Sequence, residues 1–164
     1  MKTRVGIDFG NTIGEVEDEH PALGAYDMIR HLVHKFGDDN VFIISKAKPA
    51  METRIREFLE RTDFYNACGG FRRENVLFVV EYEEKAKLVE ALGINLFFDD
   101  HVKVVTTLVA LPSIERIFWM HAGVREIQRV PKGFRSKISL CNDWGKTMKY
   151  FQRIRSTNKE SIQR

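Results

Sequence analysis

The stretch VGIDFGNT at residues 5–12 sets a carboxylate, Asp8, directly after a short apolar run and just before a turn-forming glycine. A short buried strand that ends at a carboxylate places that group at the rim of a sheet, where α/β proteins bind their ligands. The same pattern recurs in VFIIS at residues 41–45 and in LFFDD at residues 96–100. Because the polar residues that end these runs are types used in phosphoryl transfer, the three runs predict one shared site.

Helical periodicity alternates with short apolar runs along the chain. Runs that are apolar throughout predict parallel strands buried on both faces, with the helices as right-handed crossovers. Pro21 suits the first turn of the first helix, and Gly37 suits its end. The predicted order is strand 4–8, helix 22–36, strand 41–44, helix 49–61, a loop with one helical turn over 64–75, strand 76–80, helix 83–92, strand 94–98, helix 102–111, strand 114–120 and helix 143–154. The fold class is therefore α/β, a three-layer α/β/α arrangement with a doubly wound, mainly parallel sheet.

Length and composition indicate one globular domain. The chain has 164 residues, of which 43% are hydrophobic and 30% charged, as in ordinary globular proteins. We expect one domain over residues 1–155 and a flexible basic tail over residues 156–164. No apolar stretch approaches the ~18 residues of a membrane span, and no signal-peptide core is present, so a cytoplasmic protein without membrane contact is expected. Cys68 and Cys141 are too few for a disulfide framework or a zinc site and are expected to be reduced.

The net charge of +3 is unevenly distributed. An acidic segment, residues 15–19, follows the first strand and contains Glu15, Glu17, Asp18 and Glu19. The C-terminal part is basic and contains Lys146, Lys149, Arg153, Arg155, Lys159 and Arg164. Such a tail could hold a nucleic acid or another polyanion. The alternative is a solvated helix face, because the cations are scattered and few aromatic residues lie between them.

Four short motifs share the strand-end positions and the order found in one large family of hydrolases. DFGNT at residues 8–12 resembles the nucleophile motif DxDxT, and Ser45 resembles the Ser or Thr that ends the next motif strand. Lys85 resembles the lysine that opens a helix, and Asp99-Asp100 resembles the acidic pair of the last motif. Together they resemble the haloacid dehalogenase superfamily, whose members are mostly phosphatases and phosphotransferases. The resemblance spans nearly the whole chain and implies a Rossmann-like core.

The resemblance implies a role for each matched residue. Asp8 would attack phosphorus and form an aspartyl-phosphate, which divides hydrolysis into two steps. Mg²⁺ would offset the repulsion between the two anions, and its ligands would be Asp8, the backbone carbonyl of Gly10 and one acid of the pair Asp99-Asp100. Ser45 would donate a hydrogen bond to a phosphoryl oxygen. Lys85 would hold the transferred group and neutralise the nucleophile.

These residues also have structural interpretations. Asp8 could cap a turn, although a carboxylate at the rim of a buried sheet needs a compensating group. Lys87 competes with Lys85 for the role of active-site lysine. The pair Asp99-Asp100 could cap the next helix, but a cap needs one acid, and two adjacent acids repel unless a cation is near. Among the histidines, which show no ligand spacing with the cysteines, His101 could reach the mouth of the site.

Gly10 departs from the family motif. In the family's phosphatases this position holds a second aspartate, which protonates the leaving oxygen and then activates the hydrolytic water. Losing such a group typically removes ~10²- to 10⁴-fold of rate. Glu15, Glu17 or His20 could replace it. A second alternative is a leaving group that needs no acid, or the chemistry of the dehalogenase, phosphonatase or ATPase branches of the superfamily. A third alternative is an inactive pseudophosphatase that binds a phosphorylated ligand or a partner.

The chain offers no room for a large cap domain, because only short connections separate the motifs. Dehalogenation, which in that branch of the family takes place under a helical cap, is therefore disfavoured. An open site suits a phosphorylated protein or a nucleic-acid end, and it also admits a small phosphate ester. The leading interpretation is a capless, Mg²⁺-dependent phosphohydrolase-like enzyme.

Overall fold

A six-stranded, all-parallel sheet forms the centre of the computed structural model, which describes residues 2–149 and 151. The strands are β1 (Val5–Ile7), β2 (Val41–Lys46), β3 (Val76–Val79), β4 (Leu96–Asp99), β5 (Arg116–Met120) and β6 (Ile138–Cys141). Their order in the sheet is β3-β2-β1-β4-β5-β6. Val5 pairs with Val41 on one side and with Leu96 on the other, so the carboxyl ends of β1, β2 and β4 lie at one edge. The predicted α/β class with a doubly wound parallel sheet is confirmed.

Helices cover both faces of the sheet. They are α1 (Ala25–Phe36), α2 (Pro49–Arg61), α3 (Phe64–Ala67), α4 (Tyr82–Ala91) and α5 (Val102–Leu108). The first three pack over one face in a core that includes Val5 and Ile7 of β1, and α4 and α5 pack over the other face in a core that includes Phe97 of β4. Apolar residues at helical spacing form the buried stripe of each helix, as Met28 and Leu32 do in α1. The result is the predicted three-layer arrangement.

Gly6 makes room for this packing in the middle of β1. A Cβ atom at residue 6 would lie 2.3 Å from the ring of Phe97, which no real contact allows. Phe97 is fully buried on the neighbouring strand β4. The glycine therefore lets the central strand, which leads directly into Asp8, lie beneath a large aromatic side chain.

The first helix begins later than predicted. Pro21 does not open it, because α1 starts at Ala25, after Gly24. Gly24 has a φ of 80°, in the left-handed region, so the helix cannot extend back through it. The predicted end at Gly37 is correct.

Some other predicted boundaries are displaced by a few residues. β4 and β5 each begin two residues later than predicted, because Ile94 and Ile114 are buried but lie in the preceding connections. α5 ends at Leu108 rather than at residue 111. Buried apolar residues at the base of a sheet resemble strand residues in sequence although they form no ladder.

The sequence pattern does not predict β6 or the connection that leads to it. Two short 3₁₀ segments, Glu126–Arg129 and Lys132–Lys137, take the place of a crossover helix between β5 and β6. Ser139 and Leu140 are half-buried, since β6 lies at the edge of the sheet. A four-residue strand of mixed polarity lacks the continuous apolar run that identifies the central strands.

The predicted last helix is present where the structure describes it, at residues 144–149. Residue 143 precedes the helix, residue 151 is also helical, and residues 150 and 152–154 of that prediction, together with the basic residues Arg153, Arg155, Lys159 and Arg164, lie outside the described residues. None of the described helices combines the length and the apolar character needed to cross a membrane. Within residues 2–149 no large cap covers the carboxyl edge of the sheet.

Candidate active site

A cavity of about 190 Å³ lies at the carboxyl edge of the sheet, where β1, β2 and β4 end. Its walls come from the last residues of β2 and β4, from the connections after the strands and from the first turn of α4. The lining residues are Asp8, Gly10, Asn11, Ser45, Lys46, Tyr82, Lys85, Asp99, Asp100 and His101. All six residues that the sequence assigns to the site are among them. Larger grooves along α1 and beside β6 contain none of the six.

The ammonium group of Lys85 bridges two carboxylates in this cavity. Its Nζ lies 2.8 Å from Oδ1 of Asp8 and 2.8 Å from Oδ2 of Asp99. The side chain of Lys85 is 2% exposed and that of Asp99 is 0% exposed, so water screens these charges little. Burial alone would lower the pKa of Lys85, but the two carboxylates more than offset this effect and hold the pKa above its usual value. The lysine is therefore a fixed positive charge.

The start of α4 explains why Lys85 reaches the carboxylates. The helix opens with a capping box, in which the side chains of Glu81 and Glu84 each accept a hydrogen bond from the other residue's backbone N–H. This box fixes the first turn beside the sheet edge. Lys85 then faces the sheet, whereas Lys87 is exposed because residues two apart on a helix point away from each other. The structure thus places Lys85, and not Lys87, in the candidate site.

The two acids of the pair occupy different environments. Both oxygens of Asp99 are engaged, Oδ2 by Lys85 and Oδ1 by the backbone N–H of His101 at 2.8 Å. Burial and the neighbouring Asp8 carboxylate raise the pKa of Asp99 to about 7, against the opposing effect of Lys85. Asp100 is half-buried and faces the cavity. The N-cap residue of α5 is His101, so neither acid occupies the N-cap position that the helix-cap interpretation assigned to this pair.

Three carboxylates lie close enough to share a cation. Asp8, Asp99 and Asp100 each offer an oxygen, and these atoms all lie within 4.8 Å of one another. Burial, followed by the charge of Asp8, raises the pKa of Asp100 as well. Lys85 supplies one positive charge against three acids, so a further cation would relieve the remaining repulsion. Carboxylate oxygens are the donors that hard divalent cations prefer, and this triad could hold such an ion.

Ser45 and Gly10 complete the set of predicted residues. Ser45 is buried at the end of β2, and its hydroxyl forms no hydrogen bond with any described residue. The hydroxyl therefore remains able to donate to a ligand. Gly10 lies in the loop after Asp8, and among the described residues other than its chain neighbours the atom nearest to an added Cβ is Oε1 of Glu15, at 3.8 Å. A Cβ atom at residue 10 would thus fit without a clash.

Glu15 is the candidate acid that the structure places beside Gly10. Its Oε1 also accepts a 2.6 Å hydrogen bond from the backbone N–H of Asn11. Glu17 turns away and pairs with Arg54 of α2 at 2.8 Å. Neither Glu15 nor His20 is among the residues that line the cavity, but Glu15 lies beside Gly10, whereas His20 is exposed and has no contact with Gly10 or Asn11 among the described hydrogen bonds. Of the three replacements for the missing aspartate, the geometry favours Glu15.

Three cavity residues, Asn11, Lys46 and Tyr82, are not assigned to the site from the sequence. The ring of Tyr82 stacks on that of His101, with centroids 4.4 Å apart, and Nζ of Lys46 lies 4.1 Å from the centroid of Tyr82. A signal does exist, because Lys46 directly follows Ser45 and Tyr82 precedes Lys85 by one helical turn. His101, expected at the mouth, does line the cavity.

Comparisons with known proteins support the fold. No protein family and no curated protein matches the sequence. Among solved structures, a de novo designed Rossmann 3x3 fold protein is similar, with a TM-score of 0.56 and 13% identity over 92% of this chain and 93% of that one. A Burkholderia xenovorans protein provisionally assigned as a haloacid dehalogenase-like hydrolase is also similar, with a TM-score of 0.54 and 14% identity. That match covers 80% of this chain and 60% of the hydrolase. At these identities the likeness establishes a Rossmann-like α/β fold, with a distant structural resemblance to such a hydrolase.

Proposed function

We propose that this protein is a magnesium-dependent phosphohydrolase-like enzyme that acts on a phosphate ester through an aspartyl-phosphate at Asp8. The observation that supports this most directly is the bridge from Lys85 to Asp8 and Asp99, with both N–O distances at 2.8 Å. The bridge holds the nucleophile in a fixed position at a cavity that also contains Ser45 and Asp100. In-line attack on phosphorus needs a nucleophile that is positioned in this way.

The proposed reaction has two displacement steps. In the first, an oxygen of Asp8 bonds to phosphorus while the ester P–O bond breaks and the leaving oxygen takes a proton. In the second, a water oxygen attacks the same phosphorus, the bond to Asp8 breaks, and orthophosphate leaves. Ser45 donates a hydrogen bond to a phosphoryl oxygen in both steps, and Lys85 offsets the charge of the carboxylate.

Asp8 and Asp100, together with the backbone carbonyl of Gly10, would hold the metal ion. This assignment is favoured because both oxygens of Asp99 already accept hydrogen bonds, from Lys85 and from the backbone of His101. Bound Mg²⁺ would neutralise negative charge on the phosphoryl group. Asp99 is then a positioning residue, which acts by holding Lys85.

Glu15 takes the acid–base role that Gly10 cannot fill. Its Oε1 lies 3.8 Å from the position of an added Cβ at residue 10. In its protonated form it would give a proton to the leaving oxygen, and as a carboxylate it would take one from the attacking water. Held by a single hydrogen bond from Asn11, it is less firmly positioned than an aspartate on the motif itself. Slow turnover is therefore expected.

The second candidate function is a binding module for a phosphorylated ligand or a protein partner. Gly10 favours it, because the residue removes the usual acid–base group but leaves the carboxylates, Lys85 and Ser45 in place. As an enzyme, or as a module for a phosphorylated ligand, the protein would bind a phosphate group on a small ester, a protein or a nucleic-acid end. Contact with nucleic acid through the basic C-terminal segment is a weaker proposal, which the salt dependence of binding would test.

Release of a chromogenic phenolate from an aryl phosphate distinguishes the two functions. The proposed enzyme releases phenolate in the presence of Mg²⁺, and both Asp8→Asn and a metal chelator abolish the release. A wild-type rate equal to that of Asp8→Asn would contradict the enzymatic function and favour the binding module.

A further inference from the structure

Lys46 places an ammonium group at the mouth of the cavity without a hydrogen-bond acceptor among the described residues. It is the last residue of β2, directly after Ser45, and it lines the cavity. Its closest carboxylate oxygen, Oε2 of Glu81, lies 3.9 Å away, which is too far for a hydrogen bond. Glu81 also takes part in the capping box of α4. The N–H donors of Lys46 therefore remain open to a ligand.

The aromatic wall of the cavity fixes the position of this ammonium group. Nζ of Lys46 lies 4.1 Å from the ring centroid of Tyr82, within the range of a cation–π interaction. The Tyr82 ring is in turn stacked on His101 with an interplanar angle of 19°. Because the lysine is already ordered by this stack, binding an anion would cost it little conformational entropy.

The two lysines of the cavity differ in burial and in the hydrogen bonds that they donate. Lys85 is 2% exposed and donates to both Asp8 and Asp99. Lys46 is 34% exposed and makes only a loose ionic contact. Since the nucleophile lies beside Lys85, the transferred phosphoryl group would occupy the buried end of the cavity. The group that meets Lys46 would belong to the remainder of the substrate.

Charged groups of both signs lie on the two sides of the mouth. The acidic segment packs on the α2 side of the sheet, where Glu17 pairs with Arg54 and the backbone carbonyl of Asp18 accepts a hydrogen bond from Arg61. Lys46 lies on the α4 side, against Tyr82. The α4 side also carries Glu81, Glu83 and Glu84, so an anionic substituent would be attracted there by the open ammonium donors of Lys46 and not by an excess of positive charge.

We infer that Lys46 is a specificity-determining residue that binds a second anionic group, a carboxylate or a phosphate, on the molecule that carries the transferred phosphate. This inference rests on the proposed function, since it assumes that the first phosphate lies at Asp8. It names the substrate class as phosphate esters that carry an additional anionic group, in preference to neutral alkyl or aryl phosphates.

Calorimetric titration with non-hydrolysable phosphonates tests the inference in the presence of Mg²⁺. Propylphosphonate provides one anionic group, phosphonopropionate adds a carboxylate, and propanediphosphonate adds a second phosphonate. Wild type is expected to bind at least one of the two doubly anionic ligands on the order of tenfold more tightly than propylphosphonate. The ligand with the larger gain identifies the kind of second group.

Variants of two neighbouring lysines, Lys46 and Lys48, complete the test. Lys46→Met should bind all three phosphonates with equal affinity, whereas Lys46→Arg should keep the preference. Lys48→Met is the matched control, because Lys48 is exposed and does not line the cavity, and it should behave like wild type. Equal binding of the three ligands by wild type, no binding of any of them, or a preference that survives in Lys46→Met would overturn the inference.

The aryl phosphate assay separates this inference from the proposed function. If phenolate release depends on Asp8 but wild type shows no preference for doubly anionic ligands, the proposed enzymatic function is supported and the role of Lys46 is contradicted. If the preference for doubly anionic ligands depends on Lys46 but no phenolate is released, an anion-binding site is supported and the enzymatic function is contradicted.

Discussion

Lys85 donates a 2.8 Å hydrogen bond to Asp99, a fully buried carboxylate 14 positions further along the chain. The same ammonium group contacts Asp8, so a single lysine joins the ends of two neighbouring strands. Burying these charges costs free energy of desolvation, so each charged group would be strongly destabilising if its partner were removed. The residues of the candidate site are therefore expected to contribute to the stability of the fold as well as to its chemistry.

Replacing Lys85 should therefore destabilise the fold. Lys85→Met leaves Asp8 and Asp99 in a poorly solvated site without their counter-charge, and the free energy of unfolding should fall by about 3–5 kcal/mol. Urea denaturation at pH 7 measures the loss. Lys87→Met is the control, because Lys87 is exposed two residues further along α4, and it should change the free energy by less than about 0.5 kcal/mol. Equal effects of the two substitutions would contradict the proposed ion-pair geometry.

Titration of Asp99 should make the fold less stable as the pH rises. Folding raises its pKa from the usual 3.8 to about 7, so the folded state binds the proton more tightly than the unfolded state does. The resulting stabilisation is complete below about pH 4 and disappears as the pH rises through 7, with a slope of at most about 1.4 kcal/mol per pH unit. Urea denaturation between pH 5 and pH 8, in the presence of a chelator, measures this slope.

Asp99→Asn removes the titrating group and should remove this component of the slope. Asp39→Asn alters an exposed acid on the far side of the molecule and should keep the wild-type slope. Identical pH profiles for Asp99→Asn and wild type would show that Asp99 has no raised pKa.

A divalent cation should stabilise the protein through Asp100. At a hundredfold excess of Mg²⁺ over its Kd, the Tm of wild type should rise on the order of 5 °C, because only the folded state assembles the three carboxylates. Asp100→Asn should lose most of this rise. Glu90→Gln, which alters an exposed acid on α4, should keep it. A Tm that does not respond to Mg²⁺ in wild type would argue against the metal site.

Glu15→Gln should slow phenolate release, since the amide cannot exchange a proton with the leaving group. The expected loss is roughly 10²-fold, at the lower end for a positioned acid–base group. Glu19→Gln changes another exposed acid of the acidic segment and should leave the rate unchanged. Gly10→Asp should raise the rate and make it independent of Glu15, because a Cβ at residue 10 meets nothing closer than 3.8 Å. A Glu15→Gln rate equal to that of wild type would assign the acid to another group.

The sequence predicts the centre of this fold better than its periphery. Central strands such as β2 are apolar throughout, and that pattern arises only where both faces are covered. β6 lies at the edge of the sheet, and its half-buried Ser139 and Leu140 break the pattern. The start of α1 depends on the left-handed conformation of Gly24, which no periodicity reveals.

Some residues of the candidate site can likewise be predicted from the sequence and others cannot. Residues at strand ends, such as Asp8 and Asp99, can be placed from the sequence because the topology brings strand ends together. Lys46 and Tyr82 owe their position to a stack with His101, and such a choice of packing partner is made only in three dimensions. The distinct environments of Asp99 and Asp100 likewise depend on which of them faces Lys85.

Detection of a phosphoryl group on Asp8 tests the central claim most directly. Wild-type protein is mixed with an aryl phosphate and Mg²⁺, quenched in acid within the first turnover, and its peptides are analysed by mass spectrometry. The account predicts that the peptide containing Asp8 gains the mass of one phosphoryl group, that hydroxylamine removes it, and that Asp8→Asn never acquires it. Phenolate release that proceeds without any phosphorylated Asp8 peptide would contradict the account.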